Sequence, residues 1–410
     1  MTQYKRQIVA ALATVSMILT PTVSAATSLE ISGNGSSSDN DVKVERSNAT
    51  TVVQSNSAVV TNNVSSNSST GGNKANDNTG GDVMIKTGDA SSDVTVENTL
   101  NSNIAKVDCC DQGDISAKIS GNGSDSENEI DLGSGHGRRS HSDKTEIQVF
   151  QDNTAEVTNE VDSTAKTGGN DTKRNTGGDV IVRTGDATAT ADVSTTANTN
   201  VAQVGGHGEQ GNTVSALITG NGSESDNSVE LDLNHKTSIV QDNLAEVQNK
   251  VDAYAKTGWN NANDNTGGEV AIMTGDADAY ATVDNMVNFN AAEIDCGCLL
   301  DATAKISGNG YDSENEIEAK LGEDRSVFQG GKEGNGNLAD LSNDVESEAK
   351  TGVNDAKYNT GEAEDPLIWT GDATSATEVT NTGNSNVYGD MPSWWPEVEW
   401  DFSFSHIWGM

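Results

Sequence analysis

The chain has 410 residues and a formal charge of −39, from 63 acidic and 24 basic side chains, and only 4% of it is aromatic. The acidic excess excludes the clustered Lys and Arg that phosphate-backbone recognition requires, so no nucleic-acid partner is expected. The shortage of large apolar side chains excludes a bulky globular core; low hydrophobicity with high charge is by itself a disorder signature, which the ordered repeats below argue against.

Lys5 and Arg6 precede an apolar run over residues 8–19, and Val23-Ser24-Ala25 supplies small residues before a cleavage point. This is the pattern of a secretory signal peptide over residues 1–25. The run is too short to cross a membrane and no later stretch is longer. The expectation is an exported protein, secreted or at the cell surface, with no transmembrane span in its mature chain.

Ile31-Ser-Gly-Asn-Gly-Ser36 follows, and the motif returns at Ile119, at Ile218 (with Thr in second place) and at Ile306 (ending in Tyr311). It divides the chain into repeat modules over 26–118, 119–217, 218–305 and a degenerate fourth over 306–390. The second module is longer through a Gly133–His141 insertion carrying His136 and His141 and a Gly-rich connector around His207. Insertions confined to such places map to loops on one side of an array.

Within a module the landmarks keep fixed spacing. Gln54, Thr70, Asn78, Thr87 and Asn103 are separated by 16, 8, 9 and 16 residues. Gln151, Thr167, Asn175, Thr184 and Asn200 repeat those steps, as do Gln241, Thr257, Asn265, Thr274 and Asn290; Thr351, Asn359, Thr370 and Asn386 follow with one stretched gap. Between landmarks the pattern has period 2. Ala245, Val247, Asn249, Val251, Ala253 and Ala255 share one face, and Glu246, Gln248, Lys250 and Asp252 the other. Ala187, Ala189, Ala191 and Val193 behave likewise. Half-buried strands are expected, and Gly, Asn, Thr and Val disfavour helix.

The predicted fold is all-β, a repetitive β-solenoid or β-helix-like array. Tandem β-sandwich modules are the alternative, but they lack the aromatic or Leu/Ile cluster a sandwich needs. Asn62, Asn159, Asn249 and Asn343 fall at equivalent mid-face positions, and a buried Asn must find hydrogen-bond partners. Stacking at a solenoid corner would satisfy them. Thr167-Gly-Gly-Asn170 and Asn175-Thr-Gly-Gly178 supply turns.

Thr-Gly-Asp-Ala recurs with Asp89, Asp186, Asp276 and Asp372, beside Asp82, Asp179 or Glu269. Carboxylates of this kind suit Ca²⁺, which is the one cofactor considered; the favoured explanation is that each Asp accepts backbone hydrogen bonds in a tight turn. Asp125-Ser-Glu127-Asn-Glu129 and Asp312-Ser-Glu314-Asn-Glu316 form a second acidic set. Cys109, Cys110, Cys296 and Cys298 are disulfide candidates in an exported chain. No Ser/His/Asp order stands out, and an enzyme is not expected. The tail over 391–410 holds four of the six tryptophans, and Trp394, Trp395, Trp400, Phe402, Phe404 and Trp408 are read as an aromatic strand. It either caps the last rung or docks on another subunit by strand addition.

The order of these motifs, from Thr-Gly-Gly-Asn to Asn-x-Asn, resembles long Asn/Thr/Gly-rich secreted repeat proteins of uncultivated bacteria over most of the mature chain. That resemblance implies export and brings no activity with it. Gln151-x-Asn153-x-Ala155 is also similar to curlin-type repeats, although the spacing departs from the regular curlin ladder. Taken together, an extracellular or cell-surface structural or adhesive element is expected, with self-association or an envelope component as partner. The alternative is a carbohydrate-binding or polysaccharide-cleaving β-helix.

Overall fold

The computed structural model describes residues 7–11, 15–19, 26–107, 114–133, 143–205, 213–294, 301–330, 336–361 and 366–389. Two short strands open it, β1 (Gln7–Ala11) and β2 (Val15–Leu19). Each repeat module then forms one broad layer. The first layer contains β3 (Thr27–Ser32), β4 (Asp39–Val44), β5 (Ser47–Ser69), β6 (Val83–Lys86) and β7 (Ala90–Val107). The second runs through β8 (Ile115–Ser120), β9 (Glu127–Leu132), β10 (Asp143–Lys166), β11 (Asp171–Lys173), β12 (Val180–Arg183) and β13 (Ala187–Val204). The third comprises β14 (Thr213–Thr219), β15 (Asp226–Lys256), β16 (Asn261–Asn263), β17 (Val270–Met273) and β18 (Ala277–Ile294). The fourth comprises β19 (Asp301–Ser307), β20 (Glu314–Gln329), β21 (Leu338–Lys350), β22 (Leu367–Trp369) and β23 (Ala373–Tyr388).

The strands pair in parallel with their counterparts in the next layer, and β16 meets the fourth layer through a single bridge from Asn261 to Asp355. One sheet runs β7-β13-β18-β23 and a second runs β5-β10-β15 and on to β21. The register is residue for residue: Gln54, Gln151 and Gln241 stand opposite one another, as do Val64, Val161 and Val251. The protein is therefore a β-solenoid with an unusually wide coil, four coils deep, and not a row of sandwiches. Its parallel strands are also unusually long, 31 residues in β15, so coil corners and long strands together explain the extended alternation.

Inside a layer, β5 and β7 run antiparallel and meet through side chains instead of backbone bonds. Asn62 Nδ2 lies 2.9 Å from Asn98 Oδ1, and Asn56 Nδ2 lies 2.7 Å from Asn103 Oδ1. The interior is thin because the inward residues are small. Ala187, Ala189, Ala191 and Val193 face Val161, Ala165, Val251 and Ala255 in one cluster. Ile119, Ile130, Ile218 and Val229 fill the arch made by the first two strands of each layer. Ala and Val give modest burial per residue, and the parallel ladders carry the rest of the cohesion.

The turns divide labour between Gly and Asn. Gly169 and Gly177 take left-handed backbone (φ 81° and 109°). Asn170 and Asn175 do not; their side chains join ladders instead. Asn101, Asn198, Asn288 and Asn384, at equivalent positions, are left-handed at φ 54° to 63°. They interrupt the ladders of β7, β13, β18 and β23 at one shared kink that leaves the register unchanged, with Ala197 opposite Leu100 and Thr199 opposite Ser102.

Candidate functional site

The chemistry-bearing side chains fall into columns that run through the stack. Asn62 Nδ2 donates to Asn159 Oδ1, Asn159 to Asn249 and Asn249 to Asn343, each at 2.7 Å. This column lies mid-strand and not at a corner: the Asn98 and Asn285 side chains of the facing sheet complete its hydrogen bonds. Gln151 and Gln241 donate from Nε2 to the Gln of the preceding layer at 2.8 Å, and each also donates to a carbonyl across the interior, of Val201 and Ala291. Further columns begin at Asn40, Asn73, Asn78 and Asn103. Thr195 breaks the column that starts at Asn98, and its hydroxyl accepts from Asn98 at 3.2 Å. A buried amide is costly alone; here the amides of the two inner layers are satisfied by their copies above and below.

The left-handed asparagines at the kink are cross-braces. Asn198 Nδ2 donates to Asn288 Oδ1 at 3.0 Å and to the Leu244 carbonyl at 2.7 Å. Asn101 and Asn288 repeat the geometry on Thr154 and Leu338. Each therefore ties one sheet to the facing sheet one layer on.

The proposed calcium ligands also form a column. Asp186 N–H donates to Asp89 Oδ1 at 3.0 Å, Asp276 N–H to Asp186 at 2.9 Å and Asp372 N–H to Asp276 at 2.8 Å. The four carboxylates are exposed and stacked one per layer. Asp82, Asp179 and Glu269 form a parallel column, in which Asp82 and Asp179 accept in the same way. Among the described residues no group of three or more His, Cys, Asp or Glu side chains is placed to hold a metal ion. Asp89, Asp186 and Asp276 are explained as turn acceptors for the next layer, at the expense of aligned like charges. Asp186→Asn keeps the acceptor and removes one charge. We expect it to raise Tm at low ionic strength and to be neutral in about 1 M salt, where the Debye length is about 3 Å. A destabilised variant, with a parent protein whose Tm falls in chelator, would instead identify a cation-bridged column.

Partial burial holds Asp192, Asp242 and Asp252 above the ordinary carboxylate range, helped by neighbouring acids that include Asp93, Asp152 and Asp162 respectively. Against this acidic surface stands one basic strip. Lys166, Lys256 and Lys350 stack in register. Burial first, then the charges of Lys166 and Lys350, hold Lys256 below the usual lysine value. Its Nζ lies 3.4 Å from the centroid of the Trp259 ring, while Lys166 and Lys350 approach Tyr254 at 5.3 and 5.8 Å. Such contacts stabilise the cations by about 0.5–1 kcal/mol at exposed sites. Trp259 is half exposed and left-handed (φ 67°) where the first two layers have Gly72 and Gly169. That conformation costs a side-chain-bearing residue about 1–2 kcal/mol.

Period-2 patterning did not disclose Trp259, Tyr254 or the lysine strip as one feature. Aligning the modules does, because the lysines recur at one position. Cys109, Cys110, Cys296, Cys298, His136, His141, His207 and the tail with Trp394, Trp395, Trp400, Phe402, Phe404 and Trp408 lie outside the described residues. No helix among the described residues is long and apolar enough to cross a membrane. Comparison with family models, with curated proteins and with solved structures finds no match to this chain.

Proposed function

We propose that this chain is a structural element outside the cell, secreted or held at the cell surface, that serves as a stiff acidic spacer or adhesive body. The observation that carries this reading is the use of the polar residues. The buried Asn and Gln side chains are spent on columns linking successive layers, an arrangement that stiffens a stack. Residues 1–25, with Lys5 and Arg6 ahead of an apolar run, support export. High negative charge suits solubility outside the cell. Electron microscopy and fractionation of the producing cell test it. Rigid rods in the medium or on the surface are the expected result; a chain confined to the cell interior would overturn it.

The lysine strip supports a second reading, recognition of an acidic polysaccharide. An exposed Trp beside aligned ammoniums offers a stacking face and counter-charges in an otherwise repelling surface. Trp259→Ala is then expected to weaken retention on an acidic-polysaccharide column at least ~10-fold, equivalent to about 1.4 kcal/mol. Unchanged retention would remove this reading and leave the spacer role standing.

A further inference from the structure

The same interface is made three times within the chain, between layers one and two, two and three, and three and four. Its two ends are complementary. In the column of left-handed asparagines the amide donors point toward the fourth layer: Asn101 Nδ2 to Asn198, Asn198 to Asn288, Asn288 to Asn384. At the first-layer end, Asn101 Oδ1 is buried with no hydrogen-bond partner, on a residue 0% exposed. Its equivalents in the other layers accept from the layer before. A buried amide oxygen left unpaired is destabilising, and a donor arriving as Asn384 would arrive is what it lacks.

The backbone agrees. Ala277 N–H donates to the Asp372 carbonyl. By the alternation of a parallel strand, the amides of Ala373, Ser375, Thr377 and Val379 in β23 point away from β18, toward the open edge. At the opposite end Ala90 N–H donates to Asp186, so Ser91, Asp93, Thr95 and Glu97 point their backbone groups outward from the first layer. Part of that outward edge is already occupied. β1 lies along β7 with Gln7–Ala11 opposite Val94–Asn98, and β2 with Val15–Leu19 opposite Ser102–Lys106. The internal register places Thr377 of β23 in line with Ala281, Ala191 and Val94. The N-terminal strands thus sit where β23 of another copy would sit.

We propose that copies of this chain stack head to tail, the fourth layer of one on the first layer of the next, and that β1 and β2 block this edge until they are removed or displaced. The inference rests on the extracellular structural role above and supplies its partner, a second copy of the same chain. The contact is heterologous and does not close, so it builds a filament that gains about 19 Å per copy, from four layers of about 4.8 Å. Stacking continues the columns of Asp89, Asp186, Asp276 and Asp372, so assembly should be promoted by salt, which screens aligned like charges.

The test uses the full chain in three forms, followed by sedimentation and electron microscopy. The parent is expected to stay monomeric. Val9→Pro with Ile18→Pro removes one backbone donor from each N-terminal strand and frees the first-layer edge; this form is expected to give rods that lengthen with salt. Adding Thr377→Pro removes an amide that points to the open edge and makes no ladder bond within the chain. It should raise the concentration needed for rods at least ~10-fold while leaving the monomer's melting midpoint near the parent's. If the edge-freed form stays monomeric in salt, the proposal is overturned. It is equally overturned if rods form regardless of Thr377→Pro and vanish only on deletion of residues 391–410, because assembly then runs through the aromatic tail. Either failure leaves the fractionation result for the structural role untouched.

Discussion

Asn159→Asp is expected to destabilise the protein by about 3–5 kcal/mol at neutral pH, the cost of an uncompensated buried charge, and by far less in acid. Asn159 is 1% exposed, donates to Asn249 Oδ1 and accepts from Asn62 Nδ2 and Asn98 Nδ2. A carboxylate there keeps the acceptor but turns a lone pair on the Asn249 oxygen, inside a dry interior. A protonated carboxyl restores the lost donor with almost no change in shape. The folded state therefore raises the Asp pKa above its unfolded value of about 3.9. The sign follows: below the unfolded pKa both states are protonated and the variant approaches the parent. As pH rises through the interval up to the folded pKa, only the unfolded state ionises and stability falls. Urea unfolding of variant and parent across pH 3–8 measures the difference. A loss independent of pH would mean that Asn159 is not in a closed ladder.

Gly168→Ala should be the more severe backbone lesion, destabilising by at least about 3 kcal/mol, the upper range for overpacking. A Cβ on Gly168 would press into the carbonyl oxygens of Gly258 and Thr257 in the next layer. These are backbone atoms fixed by the ladder and cannot swing aside. Gly169→Ala is the control. Its φ of 81° makes any side chain uncomfortable, but a Cβ would meet only the Gly72 nitrogen at 4.0 Å. About 1 kcal/mol is expected there. The layers themselves support the contrast: Gly71, Gly168, Gly258 and Gly352 are glycine throughout, whereas the adjoining column holds Gly72, Gly169, Trp259 and Val353. Equal losses in the two variants would show that layer spacing at this turn is not tight.

Alternation alone located the inward faces. Ala245, Val247, Val251 and Ala255 are all fully buried, and so are Ala187, Ala189 and Ala191. The Asn249 column was legible as a ladder because a mid-face Asn has few other ways to be satisfied. Its position was not legible, because the partner Asn285 belongs to a strand that only the folded layer brings opposite. Breadth hid the coil for the same reason. The spacing from Gln54 to Asn103 runs along one layer and back, so both landmarks come from a single coil. Asn101 gives no sequence signal distinct from Asn103 two residues later, yet one is a left-handed brace and the other an in-strand ladder residue. Asp186 was legible as a turn residue, but its alignment with Asp89 and Asp276 required the register. The lysine strip escaped because charge on an outward face normally reads as solvation.

The central claim is that modules are layers in residue-for-residue register. Spin labels at Thr158 and Gln248, paired neighbours on the outer face of β10 and β15, test it most directly. Neighbouring strands are about 4.8 Å apart, so the doubly labelled chain should show strong spin exchange despite the long stretch of sequence between the two sites. Two weakly coupled labels more than about 20 Å apart, as separate modules of that size would give, would contradict the account.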